Sequence, residues 1–192
     1  MHLKPFLLTA LDSATSGDRR YHVWMGSLTA IMLVGAYAYF IQLRDGLGVT
    51  GMSDHVSWGL YISNFTFLVG MAAAAMMLVL PAYILHDVDF GSAVLMAEGV
   101  AVAALVMALG FVVVDIGNPF AGWHLMPGIG YLNWPQSLLS WDVIALNGYL
   151  VLNLVIPSYI LYNHYAGRSP AKNKYLPWMY ISAMWAVSIH LV

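Results

Sequence analysis

The chain has 192 residues, of which 61% are hydrophobic and only 8% are charged, and its formal net charge is −2 at pH 7. These charges are too few to solvate a globular surface of this size, so the composition excludes an ordinary soluble domain and indicates a membrane protein. We expect no nucleic-acid partner. The absence of cysteine excludes disulfides, thiolate zinc sites and iron–sulfur clusters held by this chain.

A polar leader, residues 1–22, precedes five long apolar runs that contain a single charged residue, Glu98. Each run reaches or approaches the roughly 20 residues needed to cross about 30 Å of hydrocarbon. The runs are too continuously apolar for the alternating strands of a barrel, and in lipid each helix satisfies its own backbone groups. We therefore predict an all-α transmembrane bundle. Its five spans are predicted over residues 23–43, 56–85, 90–114, 143–162 and 175–192.

The distribution of positive charge predicts how this bundle is oriented. With the N-terminus inside, six of the seven Lys and Arg residues lie inside and Arg44 lies outside. This predicts a multi-pass protein of the cytoplasmic membrane, with a cytoplasmic leader and an outer loop over residues 115–142. A loop of this length is usually functional, as a lid or as a seat for an extrinsic partner. The six inner charges are Lys4, Arg19, Arg20, Arg168, Lys172 and Lys174.

Other features of the sequence bear on packing and on chain length. Gly70 and the alanines at 72–75 predict a surface for close helix approach. The leader is expected to form a short interfacial helix. The last run stops at Val192 without a polar flank or a basic anchor, and we expect the chain to be the N-terminal part of a longer protein.

Three residues of the second run suggest a binding face for a flat ring. Trp58, Tyr61 and Asn64 are spaced at i, i+3 and i+6, so they share one face of a helix. An aromatic surface beside an amide donor suits a quinone ring, which needs stacking and a hydrogen bond to its carbonyl. The alternative is an interfacial aromatic belt with an interhelical asparagine, and spacing alone does not decide between them.

Several titratable residues are predicted at the outer face. Asp115 ends the third run, His124 lies in the outer loop, and His190 approaches the same side within the apolar fifth run. A quinol releases protons when it is oxidised, and a His or Asp within hydrogen-bond reach can accept them. The alternative for each residue is that it is a solvated loop charge or a helix cap. This alternative applies least well to His190, because His190 lies within an apolar run.

Glu98 lies eight residues into the third run, near its predicted inner end. An ionisable group at this depth is costly unless it pairs or meets water, so we interpret Glu98 as a residue of a proton path. The alternative is a protonated carboxylic acid that is hydrogen-bonded to a neighbouring helix. A haem held by two histidines is not expected, because His190 alone is intramembrane, and no metal site is predicted.

Five segments together carry a resemblance to a known family. In this order and at these spacings they resemble the NrfD/polysulfide-reductase membrane-subunit family, and among its branches the DsrP subunits of dissimilatory sulfur metabolism. The resemblance extends from about Tyr21 to the end of the chain. The segments are SDHVSWGLYISNFTFLVG (53–70), MAEG (96–99), DIGNPF (115–120), SLLSWD (137–142) and WAVSIH (185–190).

The resemblance implies a haem-free, quinone-reactive subunit of a respiratory redox complex. Such a subunit exchanges electrons between menaquinone or ubiquinone and an extracytoplasmic, ferredoxin-like iron–sulfur subunit, beside other redox subunits. It also implies a quinone pocket near the outer face, and it places the family's glutamate on Glu98. Two alternatives stay open at this stage: a transporter or ion-conducting bundle that uses Glu98, and a structural anchor for redox subunits. Whether the chain is itself catalytic is left open.

Overall fold

The structure is a computed structural model that describes residues 3–56, 59–84, 91–126 and 128–191. Residues 76–84, 91–93, 190 and 191 are described by their backbone alone. Six α-helices account for most of this part of the chain, which contains no strand. The helices are α1 (Leu3–Thr15), α2 (Arg19–Asp45), α3 (Leu60–Ile84), α4 (Gly91–Asp115), α5 (Leu138–Tyr165) and α6 (Lys172–Leu191).

Helices α2 to α6 fall on the five apolar runs, and the all-α membrane class predicted from the sequence is confirmed. Among the described residues, Arg19–Asp45, Val94–Asp115 and Leu138–Tyr165 are long and apolar enough to cross a membrane. The described side chains of α3 form a shorter apolar stretch, Leu60–Ala75. The number of spans and their orientation stay predictions.

The chain divides into two compact units, Met1–Thr50 and Gly51–Val192. The first unit contains α1, α2 and a 3₁₀ helix at Leu47–Thr50. The second contains α3 to α6 and a second 3₁₀ helix, Pro119–Leu125, in the connection between α4 and α5.

Helices α3 to α6 form a closed ring of neighbours in the second unit. α3 packs against α4 and α6, and α5 packs against the same two helices. The buried side of α4 includes Ala97, Ala101, Ala104 and Ala108. Their spacing places them on one stripe of the helix, and their small side chains let the backbones approach closely, as in other membrane bundles.

The small residues predicted for α3 divide between the interior and the surface. Ala72, Ala73 and Ala75 are buried in the core, whereas Gly70 and Ala74 are exposed. For Gly70 and Ala74, close approach of another helix stays a prediction. The run is four residues long and so covers more than one turn of helix, and only part of a turn can face α4 and α6.

Helices α5 and α6 are fixed to each other by an aromatic side chain. The indole nitrogen Nε1 of Trp185 donates a hydrogen bond of 2.8 Å to the carbonyl oxygen of Ala145. The ring lies against Gly148, where an added Cβ would come within 2.5 Å of the indole carbon Cζ2. Glycine at this position therefore permits the close approach of Trp185 to the backbone of α5.

Candidate functional site

The predicted ring-binding face of α3 is described in part. Trp58 lies outside the described residues. Tyr61 is half-buried at the start of α3, and its ring lies 6.2 Å from that of Phe111 on α4, measured between centroids. Asn64 is also half-buried, and its amide nitrogen Nδ2 donates to the carbonyl oxygen of Leu60 at 2.8 Å. An amide has two N–H donors, so one can still serve a ligand.

The other predicted outer residues lie at the end of α4 and in the loop that follows. Asp115 is the last residue of α4 and is half-buried. Because Phe111 is one helical turn before Asp115, the contact of Tyr61 with Phe111 brings the start of α3 to the level of this carboxyl group. That Tyr61 and Asp115 serve one site at the outer membrane face stays a prediction.

His124 is held within the 3₁₀ helix of the outer loop. Its ring stacks on that of Trp123 at a centroid distance of 3.9 Å, and its Nδ1 lies 2.9 Å from the carbonyl oxygen of Ala121. Gly130 packs so closely on the backbone of His124 that a Cβ would not fit. The imidazole is thus fixed in an ordered loop, and its Nε2 is the ring nitrogen that remains available to a ligand or water.

His190 belongs to α6, and its side chain lies outside the described part of the structure. The helix itself packs against α3 as well as α5, so the element that carries His190 is a neighbour of the element that carries Asn64. Whether the two side chains share one cavity stays a prediction.

A groove of about 760 Å³ opens between α5 and α6. It has aromatic and aliphatic walls with very little polar surface. Two of its polar groups are engaged within the protein: the indole N–H of Trp185 donates to the Ala145 carbonyl at 2.8 Å, and the Ser188 hydroxyl donates to the Trp185 carbonyl at 2.6 Å. Such a groove fits a flat ring or a hydrocarbon chain. It is lined by Leu138, Trp141, Ile144, Ala145, Tyr180, Ile181, Met184, Trp185 and Ser188.

A second site is polar and lies inside the bundle, around Glu98. The residue is only 5% exposed, and its carboxyl oxygen Oε2 has no hydrogen-bond partner among the described residues. Tyr149 is fully buried, and its hydroxyl donates to the carbonyl oxygen of Ala72 at 3.5 Å. Glu98 on α4 and Asn153 on α5 are buried polar residues as well, and these two helices pack against each other. The three residues form what we call the Glu98 cluster.

Tyr149 and Asn153 were missed in the sequence analysis. Asn153 is buried, and its Nδ2 donates to the carbonyl oxygen of Tyr149 at 2.9 Å. The two residues are polar, lie four positions apart in an apolar run, and therefore share a face of α5. The polar pair can be seen in the sequence. The sequence does not show that this face of α5 packs inside the bundle with Glu98, because that depends on how the helices pack.

These features together define an integral membrane helical bundle with an apolar aromatic groove and a buried carboxyl cluster. The described residues contain no group of three His, Cys, Asp or Glu side chains that could hold a metal ion. A family model described as "Polysulphide reductase, NrfD" matches residues 48–192. The chain belongs to this family, as its motifs predicted.

Several curated proteins are similar to the chain. A selenate reductase subunit of Mesobacillus selenatarsenatis is 29% identical over 129 residues, which are 67% of this chain and 29% of that protein. A putative dimethyl sulfoxide reductase membrane subunit of Halobacterium salinarum is 31% identical, over 68% of this chain and 29% of its own length. The menaquinone reductase integral membrane subunit of Nitratidesulfovibrio vulgaris is 29% identical, over 71% of this chain and 32% of its own length.

The matched part therefore spans about three-tenths of the length of these relatives. No solved structure was found to match the chain.

Proposed function

We propose that the chain is a quinone-interacting part of the membrane subunit of a respiratory redox complex. The observation that carries this proposal is the aromatic groove between α5 and α6, in a chain that belongs to the NrfD family. Support comes from a relative named for menaquinone reduction and from a second, of Archaeoglobus fulgidus, named as the membrane subunit of a menaquinol oxidoreductase. A quinone supplies two-electron chemistry coupled to protons at its two carbonyl oxygens.

The groove and the face of α3 have complementary roles in this proposal. The groove offers aromatic and aliphatic walls in which the indole of Trp185 and the hydroxyl of Ser188 are already bonded internally, so it suits the hydrocarbon part of the ligand. Trp58, Tyr61, Asn64 and His190 are proposed to surround the ring. Ser188 of the groove is two residues from His190, or about 3 Å along the axis of α6, so a single ligand can reach from one region to the other.

Protons at the ring are proposed to pass through Asp115 or His124. Asp115 is at the level of Tyr61, and His124 is fixed by Trp123 and Ala121 with Nε2 available. A carboxylate or an imidazole within hydrogen-bond reach of a ring hydroxyl is an effective proton acceptor near neutral pH.

Glu98 is proposed to belong to a separate proton path. It lies 17 residues from Asp115 on α4, which corresponds to about 25 Å along the helix axis. One ring therefore cannot touch both carboxyl groups. The buried Tyr149 hydroxyl and Asn153 amide extend the Glu98 cluster across to α5. Within the apolar core, the Glu98 carboxyl group and the Tyr149 hydroxyl are the groups that can hold and pass a proton.

The partners follow from the same proposal. An extracytoplasmic, ferredoxin-like iron–sulfur subunit would exchange electrons with the quinone, and further redox subunits would complete the complex. This chain has no cysteine of its own for a cluster. We place the protein in the cytoplasmic membrane with its N-terminus inside, and dissimilatory sulfur metabolism is the proposed setting, on the motif resemblance described above.

A transporter or ion-conducting bundle is the second candidate, and the buried Glu98 is the observation that favours it. Such a protein would bind no quinone. A purely structural anchor would likewise hold redox subunits without a ligand of its own.

The test is to purify the intact complex from its native membrane and to measure both its quinone content and its quinol-linked electron transfer. We expect about one quinone per copy of the chain, and electron transfer that a competing quinone analogue inhibits. Absence of quinone with full activity of the remaining subunits would reject the proposal and favour the anchor, whereas proton or ion flux without quinone would favour the transporter.

A further inference from the structure

The first unit contains a rigid corner between α1 and α2. The Asp18 side chain caps α2 by accepting a hydrogen bond of 2.9 Å from the backbone N–H of Tyr21. The hydroxyl of Tyr21 donates to the carbonyl oxygen of Ala14 in the last turn of α1. Gly17 lies under the Tyr21 ring, where a Cβ would not fit. These contacts fix the orientation of α1 relative to the start of α2.

α1 is amphipathic and none of its residues is buried within the protein. Leu3, Leu7 and Leu11 recur every four positions on one face and are 46%, 51% and 62% exposed. The opposite face carries Thr9 and Asp12. A short helix with such a face, joined at a fixed corner to an apolar helix of membrane-spanning length, is suited to lie in the headgroup layer with its leucines towards the acyl chains.

The corner also carries two cations beside an apolar surface. A cavity of about 570 Å³ is lined by Asp18, Arg19, Arg20, Val23, Trp24 and Ser27. The last five fall on one face of α2, so charge gives way to apolar and aromatic surface within two turns. Arg44 at the other end of α2 is paired with Asp45 at 2.7 Å, whereas Arg19 and Arg20 have no ion-pair partner among the described residues.

We propose that this corner, formed by the end of α1 and the first two turns of α2, binds an anionic phospholipid. The phosphate and headgroup would meet Arg19 and Arg20, since guanidinium groups bind phosphate oxygens in pairs. An acyl chain would follow Val23 and Trp24 along α2, beside the leucine face of α1. Asp18 does not oppose this, because its oxygen is engaged by Tyr21 and the two arginines leave the site with a net positive charge. The site is independent of the proposed quinone function.

The first test uses native mass spectrometry of the full-length chain, titrated with dioleoylphosphatidylglycerol or dioleoylphosphatidylcholine. We expect one tightly retained phosphatidylglycerol and no comparable retention of phosphatidylcholine. The double variant Arg19→Gln/Arg20→Gln should weaken that binding by roughly tenfold or more. Arg19→Lys/Arg20→Lys, which keeps the charge but not the paired N–H donors, should lose less binding than the glutamine variant, so that charge and paired bonding are separated.

The matched control is Arg168→Gln/Lys172→Gln, which removes the same charge between the end of α5 and the first residue of α6 and should leave phosphatidylglycerol binding unchanged. Equal losses in both double variants, or no loss in either, would overturn the proposal. Displacement of the lipid by inorganic phosphate at equal concentration would also overturn it, because the site would then be one for free phosphate.

The second test locates α1 in a bilayer, and the chain is suited to it because it contains no cysteine. Nitroxide labels are attached to the single variants Leu7→Cys and Thr9→Cys in phosphatidylglycerol nanodiscs. We expect the label at residue 7 to collide with dissolved oxygen, which concentrates in lipid, and the label at residue 9 to collide with a water-soluble nickel complex. Equal exposure of both labels to the nickel complex would contradict the interfacial position of α1.

Discussion

The indole of Trp185 on α6 is seated against Gly148 and bonded to the carbonyl oxygen of Ala145 on α5. This relationship fixes one wall of the α5–α6 groove, because Trp185 and Ala145 both line it. The geometry of the groove therefore depends on the absence of a side chain at residue 148.

Gly148→Ala should displace Trp185 and destabilise the bundle. An added methyl group within 2.5 Å of the indole forces a shift that typically costs about 1–3 kcal/mol. The midpoint of thermal unfolding in detergent, followed by tryptophan fluorescence, measures this. Gly110→Ala on α4 is the matched control, since its Cβ meets nothing within 4 Å, and it should be neutral or slightly stabilising. Equal midpoints for the two variants would contradict the packing described here.

Asn64→Leu and His190→Ala should each slow quinone turnover while the complex stays assembled. Each removes a proposed hydrogen bond to the ring, and a tenfold loss corresponds to about 1.4 kcal/mol, a reasonable contribution for one such bond. Asn147→Leu is the control for the first, because Asn147 makes the same bond to its own helix, at 2.7 Å to Val143, and is exposed. Unchanged quinol-linked rates in both site variants would move the site elsewhere.

Glu98→Gln should preserve assembly and quinone binding while slowing a proton-coupled step. The amide replaces the buried carboxyl group without a large change in volume, but it cannot release a proton. We expect infrared difference spectra to show a protonated carboxylic acid band that is lost in this variant and shifted in Tyr149→Phe. Tyr165→Phe changes an exposed tyrosine and should leave the band in place. Loss of an ionised carboxylate band together with bound quinone would contradict both assignments.

The predicted orientation can be measured by labelling from the two sides of the membrane. Because the sequence contains no cysteine, a Gly128→Cys variant has a single labelling site, which lies in the loop between α4 and α5. We expect an impermeant maleimide to label it in whole cells. Labelling that occurs only in inverted vesicles would reverse the predicted topology.

The positions of the long helices could be predicted because length and continuous apolarity alone determine them in lipid. The ends of the helices could not be predicted, because residues outside an apolar run can continue the helix. For example, α5 begins at Leu138, five residues before the predicted span 143–162. The sequence also did not show which side of each helix packs against its neighbours. Nothing in the local sequence distinguishes buried Ala73 from exposed Ala74 until the neighbours α4 and α6 are known.

The candidate site shows the same division. The outer residues and Glu98 were found because titratable and aromatic groups are conspicuous in apolar runs. The groove was not found, because its walls combine residues of α5 and α6 that are about 40 positions apart, such as Ala145 and Trp185. Tyr149 and Asn153 gain their significance from the bond of Tyr149 to Ala72 on α3 and from the packing of α5 on α4. The assignment of Trp58 and His190 to the ring stays a prediction.

The most direct test of the central claim is photolabelling of the intact complex with an azido-quinone, followed by mapping of the modified peptides. We expect labels on the groove-lining parts of α5 and α6, residues 138–145 and 180–190, and on the start of α3. An excess of unmodified quinone should abolish them. Labelling that excess quinone does not displace, or that falls outside these segments, would contradict a quinone site in this bundle.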